Sequence, residues 1–394
     1  MNKQQLFYIE PFMRGNQHAP FNAAMLQVFQ AIYPMATIRL WCSSDHLLAL
    51  KEQGQMSRRI IHQPLRVPRL RNADKLRWVY KHLAECWALT KLLIRARRHQ
   101  VSLVYFAFLS PPAQWLLSCY RVFFFKKLNI LVQLHGLELL KVSRQGKFVD
   151  RVYASLLRSA FRRKRSRLYY ITMEKGAQRY LQDHDLIPSS HLLCIPHPYL
   201  FKKRDMKQVQ HHIPIFVHLG VARLSKGSHH FFKLAEKFKE EVVQGKAIFQ
   251  VVGQVLPEMD NYLNPYVVYA GRGDMLPTAD YLAALHDADY ALFCYASDSY
   301  ELTSSGAVMD AIAAHKPILA LRNTSFSELF SLVERAPGQL FDSLEEMEQT
   351  VRSIIYQQKH FHENGAAAFV ALQAHFSVDN VARELGKQLK GISC

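Results

Sequence analysis

Short apolar runs alternate with longer amphipathic stretches along both halves of the chain. The runs of the first half are LFYIE, TIRLWC, SLVYFAF, ILVQLHG and LYYITM, and those of the second are IPIFVHLG, AIFQVVGQ, YVVYAG, YALFCY and PILAL. Runs of this length predict buried strands, and the helical periodicity between them predicts helices, for example at residues 75–98. Strands that alternate with helices form parallel sheets with right-handed crossovers. The pattern therefore predicts an α/β fold of two doubly wound, Rossmann-like domains.

The length and one polar junction predict where the chain divides. Its 394 residues exceed what one ordinary core holds. A polar, charged and proline-containing segment at residues 194–216 separates the two strand-helix series. We predict an N-terminal domain at residues 1–198 and a C-terminal domain at residues 199–375. A C-terminal helix in residues 376–394 is expected to pack back on the N-terminal domain.

Positive charge is concentrated in the first half. The chain carries a net charge of +18, and residues 1–197 alone hold 31 Lys and Arg against 10 Asp and Glu. Such a field favours a polyanionic partner, either a nucleic acid or an anionic membrane surface. The candidate contacts lie in three basic clusters and are Arg69, Arg71, Arg95, Arg97, Arg98, Arg162 and Arg163.

Cysteine spacing and hydropathy further limit the kind of protein this can be and where it is located. The six cysteines are scattered without a C-x-x-C pair, which disfavours a disulfide framework or a zinc site and fits a reducing cytosol. Neither a signal-peptide h-region nor an apolar run of 18 residues is visible. We expect a cytoplasmic protein that does not span a membrane.

Ligands of open α/β sheets bind beyond the carboxyl ends of strands, so the turns there hold the candidate residues. In the first half, Gly15 permits a tight turn near His18, and Asn22 is a candidate cap for the next helix. His135 follows the strand run ILVQL directly. We predict that Gly15 and His135 face a ligand.

The second half contains a candidate anion site. Arg223 and Lys226 lie in the turn GVARLSKG, near a helix start where backbone N–H groups and added cations favour an anion. Arg272 follows a later strand and is a candidate for contact with a base or phosphate. The Walker spacing G-x-x-x-x-G-K-[ST] is absent.

A second predicted helix start in this half has the sequence YELTSSGAVMDAI. Ser304, Ser305 and Gly306 offer backbone N–H groups and hydroxyls to a phosphate. Asp310 lies about one turn further on, where a carboxylate can bind a sugar hydroxyl, and Glu301 precedes the turn.

The second half resembles the group 1 glycosyltransferases, a family of retaining enzymes with the GT-B fold. GVARLSKG resembles the family's Gly-Arg and Lys-Gly segment, and AVMDAIAAHKPILAL resembles its LLEAMAAGKPVIA segment. Upstream, ITMEKGAQRYL is similar to VTVSEGAKEYL, LCIPHPYL resembles VIPHGVD, and MRGNQHAPFN lies where the family has its first glycine-rich loop.

The resemblance implies roles for individual residues. Arg223 and Lys226 would bind the diphosphate of a nucleotide sugar, and Asp310 would bind the ribose. Glu301 would contact the hydroxyls of the donor sugar, and His135 would lie near the reacting carbon. The chain departs from the family signature, because Leu302 occupies the place of the first of its two glutamates and Glu301 lies one residue early.

That departure leaves the mechanism and the activity open. An inverting transferase would use a carboxylate of the first half, with Glu138 and Glu174 as candidates. A catalytically inactive scaffold, an epimerase of the same fold and a basic nucleic-acid-binding protein are also compatible with the sequence, although no RNP, KH, zinc-finger or helix-turn-helix pattern is evident.

Taken together, the sequence predicts a glycosyltransferase of the hexosyltransferase type. It would move a sugar from a nucleoside-diphosphate sugar to a lipid-linked glycan in surface polysaccharide or lipopolysaccharide biosynthesis. Arg223, Lys226 and the helix start can stabilise the leaving diphosphate, so we expect no metal and no cofactor. The first half would bind the acceptor at the inner face of a bacterial cytoplasmic membrane. The sequence leaves the sugar, the base and the acceptor unspecified.

Overall fold

The computed structural model describes residues 4–54, 56–69, 75–143, 145–163, 166–201, 212–269, 276–296, 300–357 and 362–391. Internal contacts divide the chain into two compact units. Unit 1 comprises Met1–Leu200, Leu302–Ser304 and Phe376–Cys394, and unit 2 comprises Phe201–Glu301 and Ser305–His375.

The strands, in chain order, are β1 (Gln5–Ile9), β2 (Thr37–Cys42), β3 (Ile60–Pro64), β4 (Leu103–Phe106), β5 (Ile130–Gln133), β6 (Leu168–Thr172), β7 (Leu192–Cys194), β8 (Ile215–Leu219), β9 (Ile248–Val252), β10 (Val267–Tyr269), β11 (Tyr290–Phe293), β12 (Ile318–Leu321) and β13 (Gly338–Phe341).

The α-helices are α1 (Ala19–Ile32), α2 (Ser44–Gln53), α3 (Lys75–Arg98), α4 (Pro111–Phe123), α5 (Phe148–Arg162), α6 (Lys175–Asp183), α7 (Ser228–Lys237), α8 (Lys239–Val243), α9 (Thr278–Asp287), α10 (Gly306–Ala313), α11 (Thr324–Ser331), α12 (Leu344–Ile355), α13 (His362–Phe376) and α14 (Val378–Lys390).

Unit 1 is built on a seven-strand parallel sheet in the order β3-β2-β1-β4-β5-β6-β7. Successive residues of β1 enter different cores: Phe7 packs with residues of α3, α4 and α5, and Tyr8 packs with residues of α1, α2 and α14. Helices therefore cover both faces of the sheet, as the buried strands require. The strand order reverses between β1 and β4, which is where such sheets bind ligands.

Unit 2 has the same design with six parallel strands in the order β10-β9-β8-β11-β12-β13. Its order reverses between β8 and β11. The segments after these two strands contain Arg223 and Lys226, and Ser305 and Asp310, respectively. The topology thus brings the candidate anion-binding residues to one edge of one sheet.

The α/β prediction of two doubly wound units is confirmed, and the structure adds three short strands to the predicted ones. These are β3, β7 and β13, and each lies at the edge of its sheet. At the C-terminus, α14 packs against α1 in the core of unit 1. No described helix is both long and apolar enough to cross a membrane.

One local prediction was wrong. Asn22 does not cap α1: the helix starts at Ala19, and the residue before it, His18, adopts a left-handed conformation with φ 57°. Asn22 lies one turn inside the helix and is fully buried. Its side chain belongs instead to the polar network of unit 1 described below.

Candidate functional site

The turn after β8 in unit 2 is shaped by two glycines. Gly220 has φ +81° and Gly227 has φ +65°, both in the left-handed region that favours glycine. A Cβ on Gly227 would lie 1.9 Å from the carbonyl oxygen of Cys294, so no other residue fits there without movement. A Cβ on Gly220 would lie 3.4 Å from Lys226 Nζ and 3.6 Å from Ala307 Cβ. The Lys226 amine and the first turn of α10 therefore meet at Gly220.

Lys226 is a buried cation. It is the last residue of the short 3-10 helix Leu224–Lys226, and its Nζ lies about 6 Å from the ring centroids of Tyr295 and Tyr300. Burial, followed by the charge of Arg223, lowers the pKa of Lys226 to about 8, while Asp310 raises it. Among the described residues, no hydrogen bond or ion pair to the Lys226 amine is found. A buried amine in this state is available to an anion.

Arg223 lies beside it with part of its guanidinium unused. Its Nη2 donates to the hydroxyl of Tyr300 at 2.9 Å, whereas its buried Nε has no partner among the described residues. Its backbone N–H donates to Ser228 Oγ, which in turn contacts His218 Nε2 at 2.8 Å. Burial lowers the pKa of His218 to about 3, so this histidine is neutral and fixes the turn without adding charge.

The start of α10 completes the group. Ser305 precedes the helix, and its side chain makes no capping hydrogen bond. The first backbone N–H groups carry the positive end of the helix dipole and can bind an anion. The Ser305 hydroxyl contacts the hydroxyl of Tyr295 at 3.0 Å. Gly306 is exposed, with open space where a side chain would be. A phosphate can therefore approach this turn closely.

Asp310 lies in the second turn of α10. Its Oδ2 accepts a hydrogen bond of 2.7 Å from the hydroxyl of Tyr281 on α9. The carboxylate is half-buried, which suits a contact with a ligand hydroxyl. Arg223, Lys226, Ser305, Gly306 and Asp310 are thus all positioned around the switch point between β8 and β11.

Two other predicted residues, Glu301 and Ser304, come just before Ser305 of this group in the chain. Leu302–Ser304 is a part of unit 1, in which the side chain of Leu302 is buried in the core. The Ser304 hydroxyl donates to Glu174 Oε1 at 2.6 Å, and the Leu302 N–H donates to Glu138 Oε1 at 2.8 Å. Glu301 is half-buried in the segment between β11 and α10.

In unit 1, Gly15 lies in the turn after β1 with φ +50°. Its carbonyl oxygen accepts a 2.8 Å hydrogen bond from His46 Nδ1, which leaves His46 Nε2 to accept from Asn22 Nδ2 at 3.0 Å. The same amide donates to Glu10 Oε2, and Glu10 Oε1 accepts the backbone N–H groups of two turn residues. Burial raises the pKa of Glu10 to about 7. This network holds the turn in place.

His135 lies at the end of β5, as predicted. Its Nε2 donates to the carbonyl oxygen of Ala107 at 3.1 Å, and its ring lies 4.6 Å from that of His18 and 5.0 Å from that of Phe21. Burial, followed by the neighbouring charges of His18 and His197, places the pKa of His135 well below its usual value. The imidazole is therefore neutral near pH 7.

The predicted basic residues are spread over unit 1. Arg69, Arg95, Arg97, Arg98 and Arg162 are exposed, and the guanidinium of Arg163 lies 5.3 Å from the ring centroid of Trp115. Arg71 and Arg272 lie outside the described residues. Among those described, no group of three or more His, Cys, Asp or Glu side chains could hold a metal ion.

Sequence reasoning missed the tyrosines of the unit 2 site. Tyr295 and Tyr300 stack with ring centroids 4.5 Å apart, and Tyr300 orients Arg223, while Tyr281 orients Asp310. These pairs are 77 and 29 residues apart in sequence. For Tyr295 and Tyr300, the local signal was the density of aromatic residues in YALFCYASDSYE, which begins with β11.

No family model and no curated protein matches the sequence, but solved structures match nearly the whole chain. Sucrose-phosphate synthase from Thermosynechococcus elongatus has a TM-score of 0.70 at 13% identity, over 99% of both chains. Anabaena HepE in complex with UDP and glucose has a TM-score of 0.64 at 12% identity, over 99% of this chain and 100% of that one.

WaaG, a glycosyltransferase involved in lipopolysaccharide biosynthesis, has a TM-score of 0.63 at 12% identity, over 98% of this chain and 100% of that one. At such low identities the likeness concerns the fold alone. The chain has the fold of the GT-B glycosyltransferases.

Proposed function

We propose that this protein is a glycosyltransferase of the hexosyltransferase type that uses a nucleoside-diphosphate sugar. The observation that carries the proposal is the arrangement of Arg223 and Lys226 around the start of α10. Both cations retain unused donors among the described residues, and the helix start adds N–H groups. Two similar structures support the choice of ligand: HepE binds UDP and glucose, and WaaG is itself a glycosyltransferase.

The chemistry requires a stabilised leaving group. When the bond between the anomeric carbon and the diphosphate breaks, negative charge develops on the diphosphate oxygens. Fixed donors aimed at that charge lower the barrier, because they need no reorganisation during the reaction. Arg223 would bind one phosphate through its planar guanidinium, and Lys226 would supply a point charge. We propose that these groups act without a metal or a further cofactor.

Asp310 is our candidate for the ribose contact. The Tyr281 hydroxyl donates to Oδ2 of its carboxylate and so orients the group. Glu301 remains the candidate for the donor sugar, and His135, neutral near pH 7, the candidate near the reacting carbon.

We propose that the transfer proceeds with retention at the anomeric carbon. An inverting mechanism would use Glu138 or Glu174 as the base, yet each of these carboxylates already accepts a hydrogen bond from Leu302–Ser304. An NMR time course of the anomeric proton in the first product decides between the two outcomes. Formation of the opposite anomer would make the enzyme inverting.

The proposal also includes the acceptor of the sugar and the location of the protein in the cell. We propose a lipid-linked glycan of surface polysaccharide or lipopolysaccharide synthesis, bound by unit 1 at the inner face of a bacterial cytoplasmic membrane. A stripe of exposed apolar side chains on α3 supports it, namely Leu76, Tyr80, Leu83, Trp87 and Ile94. Arg95, Arg97 and Arg98 are exposed in the last turn of the same helix. Apolar and basic residues on one helix suit an anionic lipid surface.

Nucleotide binding tests the donor site. A thermal-shift screen with UDP, GDP, CMP and ADP should find a ligand whose dissociation constant rises about 10-fold or more in Arg223→Ala and in Lys226→Met, because each removes a charge-assisted contact. Arg322→Ala and Lys237→Met are matched controls, since both residues pair with acidic partners elsewhere in unit 2. No binding of any nucleotide, or equal weakening in the controls, would contradict the proposal.

Turnover separates the enzyme from an inactive scaffold. With the nucleotide identified, hydrolysis or transfer of its sugar conjugates should be measurable and should be lost in Arg223→Ala. Nucleotide binding without turnover of any sugar conjugate would favour the scaffold. Binding of nucleic acid in place of nucleotides would favour a basic nucleic-acid-binding protein.

A further inference from the structure

Unit 1 contains a group of rings and charged side chains that the donor site does not use. It lies at the carboxyl ends of β1 and β4, on the edge where the strand order of this sheet reverses. Phe12 follows β1, Phe108 follows β4, and Trp78, Lys81 and His82 come from the first two turns of α3. We call this set the ring cluster.

The ring cluster is continuous. The centroid of Phe12 lies 5.2 Å from that of Phe108 and 5.3 Å from that of His82, and Trp78 lies 4.1 Å from His82. Phe12, Phe108 and Trp78 are all half-buried, so part of each ring remains accessible. The cluster therefore offers apolar surface at a position where α/β sheets bind ligands.

The cluster is also held rigidly. His82 Nδ1 contacts Ser110 Oγ at 3.0 Å and its Nε2 contacts the Tyr153 hydroxyl at 3.0 Å. Glu85, which is almost fully buried, accepts from the backbone N–H of Ser110 at 2.9 Å. On the other side, Glu10 accepts the backbone N–H of Phe12 at 3.1 Å. Such supports keep a binding surface preorganised.

Lys81 differs from the other members of the ring cluster because it is a buried amine. Its residue is 5% exposed, and its Nζ lies over the ring of Phe12 at 3.8 Å from the centroid. Among the described residues, no hydrogen bond or ion pair to the amine is found. Burial lowers the pKa of Lys81, Glu85 and Glu10 raise it through space, and Arg14 lowers it. A buried ammonium without an acceptor is costly, so an oxygen of a ligand would stabilise it.

The surrounding charges select the kind of ligand. Glu85 and Glu10 act on the amine, and Arg14, the cation that also acts on it, is already paired with Asp45 at 2.8 Å. The buried carboxylate of Glu85 would therefore repel an anion bound next to it. A neutral molecule with many hydroxyl groups meets no such repulsion. A sugar ring also has C–H groups that can lie against Phe12, Phe108 or Trp78.

We propose that the ring cluster is a binding subsite for an uncharged sugar ring of the acceptor, with a sugar hydroxyl accepting a hydrogen bond from Lys81. The assignment as acceptor rests on the proposed transferase function. The binding of a sugar itself does not, because every residue of the subsite belongs to unit 1 and every nucleotide-binding candidate tested above belongs to unit 2.

Saturation-transfer-difference NMR on the full chain tests this subsite, with methyl α-glucoside, methyl β-galactoside and N-acetylglucosamine as probes. We expect transfer to the ring protons of at least one probe in the wild type. The signal should fall at least about fivefold in Lys81→Met and in Phe108→Ala, since each loses contacts worth about 1 kcal/mol or more. Lys91→Met and Phe148→Ala should leave it unchanged, because both residues are exposed elsewhere on unit 1.

A second measurement uses only the wild-type protein, so it does not depend on whether the variants fold. Acetylation of wild-type Lys81 by acetic anhydride, followed by peptide mass spectrometry, should slow in the presence of the same sugars, whereas acetylation of Lys91 should not. The proposal is overturned if no probe gives a signal, if Lys81→Met and Phe108→Ala bind normally, or if glucuronate or phosphate displaces the sugar. UDP binding is measured in parallel: its absence would count against the transferase, and the sugar result would stand by itself.

Discussion

The two titratable residues with the clearest consequences are Lys226 and Glu10. Both are buried, and burial shifts their pKa values in opposite directions, in each case toward the neutral form. The pKa of Lys226 is lowered to about 8, so its charge is lost at a pH where an exposed lysine remains protonated. The pKa of Glu10 is raised to about 7, so this carboxyl keeps a proton where an exposed glutamate has lost it.

We expect nucleotide binding to weaken at alkaline pH because of Lys226. The dissociation constant for UDP should be nearly constant from pH 7 to 7.5 and should rise by up to about tenfold per pH unit above pH 8, since the diphosphate binds the protonated amine. Lys226→Arg should abolish this dependence, because arginine stays charged. Isothermal titration calorimetry between pH 7 and 10 checks it, and an equally steep rise in Lys226→Arg would contradict it.

For Glu10, the prediction concerns the stability of unit 1. Between pH 4.5 and 7 the folded protein retains a proton on Glu10 that the unfolded chain has released, so raising the pH lowers the free energy of unfolding by up to about 3 kcal/mol. Glu10→Gln removes this contribution. Urea unfolding followed by tryptophan fluorescence reports on unit 1, because all four tryptophans lie there. A difference between wild type and variant that stays constant from pH 4.5 to 8 would rule it out.

At the scale of elements, Gly227 is the glycine of the segment between β8 and α7 that a side chain would disturb most. Gly227 and Gly245 have similar positive φ values of 65° and 69°, but only Gly227 has a carbonyl oxygen where a Cβ would go. Gly245→Ala should cost about 1 kcal/mol through backbone strain alone. Gly227→Ala should cost several kcal/mol more and weaken UDP binding, because the chain around Lys226 must move.

Thermal unfolding and UDP titration of the two glycine variants compare these costs directly. We expect a clearly larger fall in melting temperature for Gly227→Ala than for Gly245→Ala. Equal falls in both variants, with UDP binding intact, would show that the turn does not depend on the close approach to Cys294.

Elements in the interior of each sheet were predictable from the sequence, whereas three edge strands were not. Central strands such as β4, β5 and β11 are buried along their whole length and therefore read as continuous apolar runs. Of the strands that were missed, β3 and β13 are mostly not buried and β7 has three residues, so their patterns resemble those of loops. A weak pattern at an edge follows from having one neighbouring strand instead of two.

The candidate site also has a part that could be predicted from the sequence and a part that could not. The turn around Arg223 and Lys226 could be predicted because glycine and cation spacing are local properties. The contacts of Tyr300 with Arg223 and of Tyr281 with Asp310 join residues far apart in sequence. The hydrogen bond of Ser304 to Glu174 likewise spans 130 residues and could not be predicted. From the sequence we therefore grouped Ser304 with the candidate phosphate-binding residues Ser305 and Gly306. Such pairings arise from tertiary packing and have no signature in either segment.

At the scale of the molecule, the uneven charge acquires a structural setting. The excess of basic residues falls in the first 197 residues, which belong to unit 1, and the remainder of the chain is slightly acidic. The apolar stripe of α3 lies on the same unit, with Lys91 Nζ placed 3.4 Å from the ring centroid of Trp87. The basic residues and the apolar stripe together predict a membrane contact with an electrostatic part and an apolar part, which can be tested separately.

We expect binding to vesicles containing phosphatidylserine or phosphatidylglycerol, and none to vesicles of neutral lipid. Raising the salt from about 50 to about 500 mM should weaken binding strongly, because each basic residue near the surface contributes about 1 kcal/mol that salt screens.

Leu83→Ser and Trp87→Ser should weaken vesicle binding further at every salt concentration, since they remove the apolar part. Val243→Ser is the matched control, because Val243 is also exposed but lies on unit 2. Co-sedimentation of the full chain with vesicles measures both parts. If binding ignores salt, or if Val243→Ser weakens it as much as Trp87→Ser, the membrane contact is not the surface formed by α3 and its arginines.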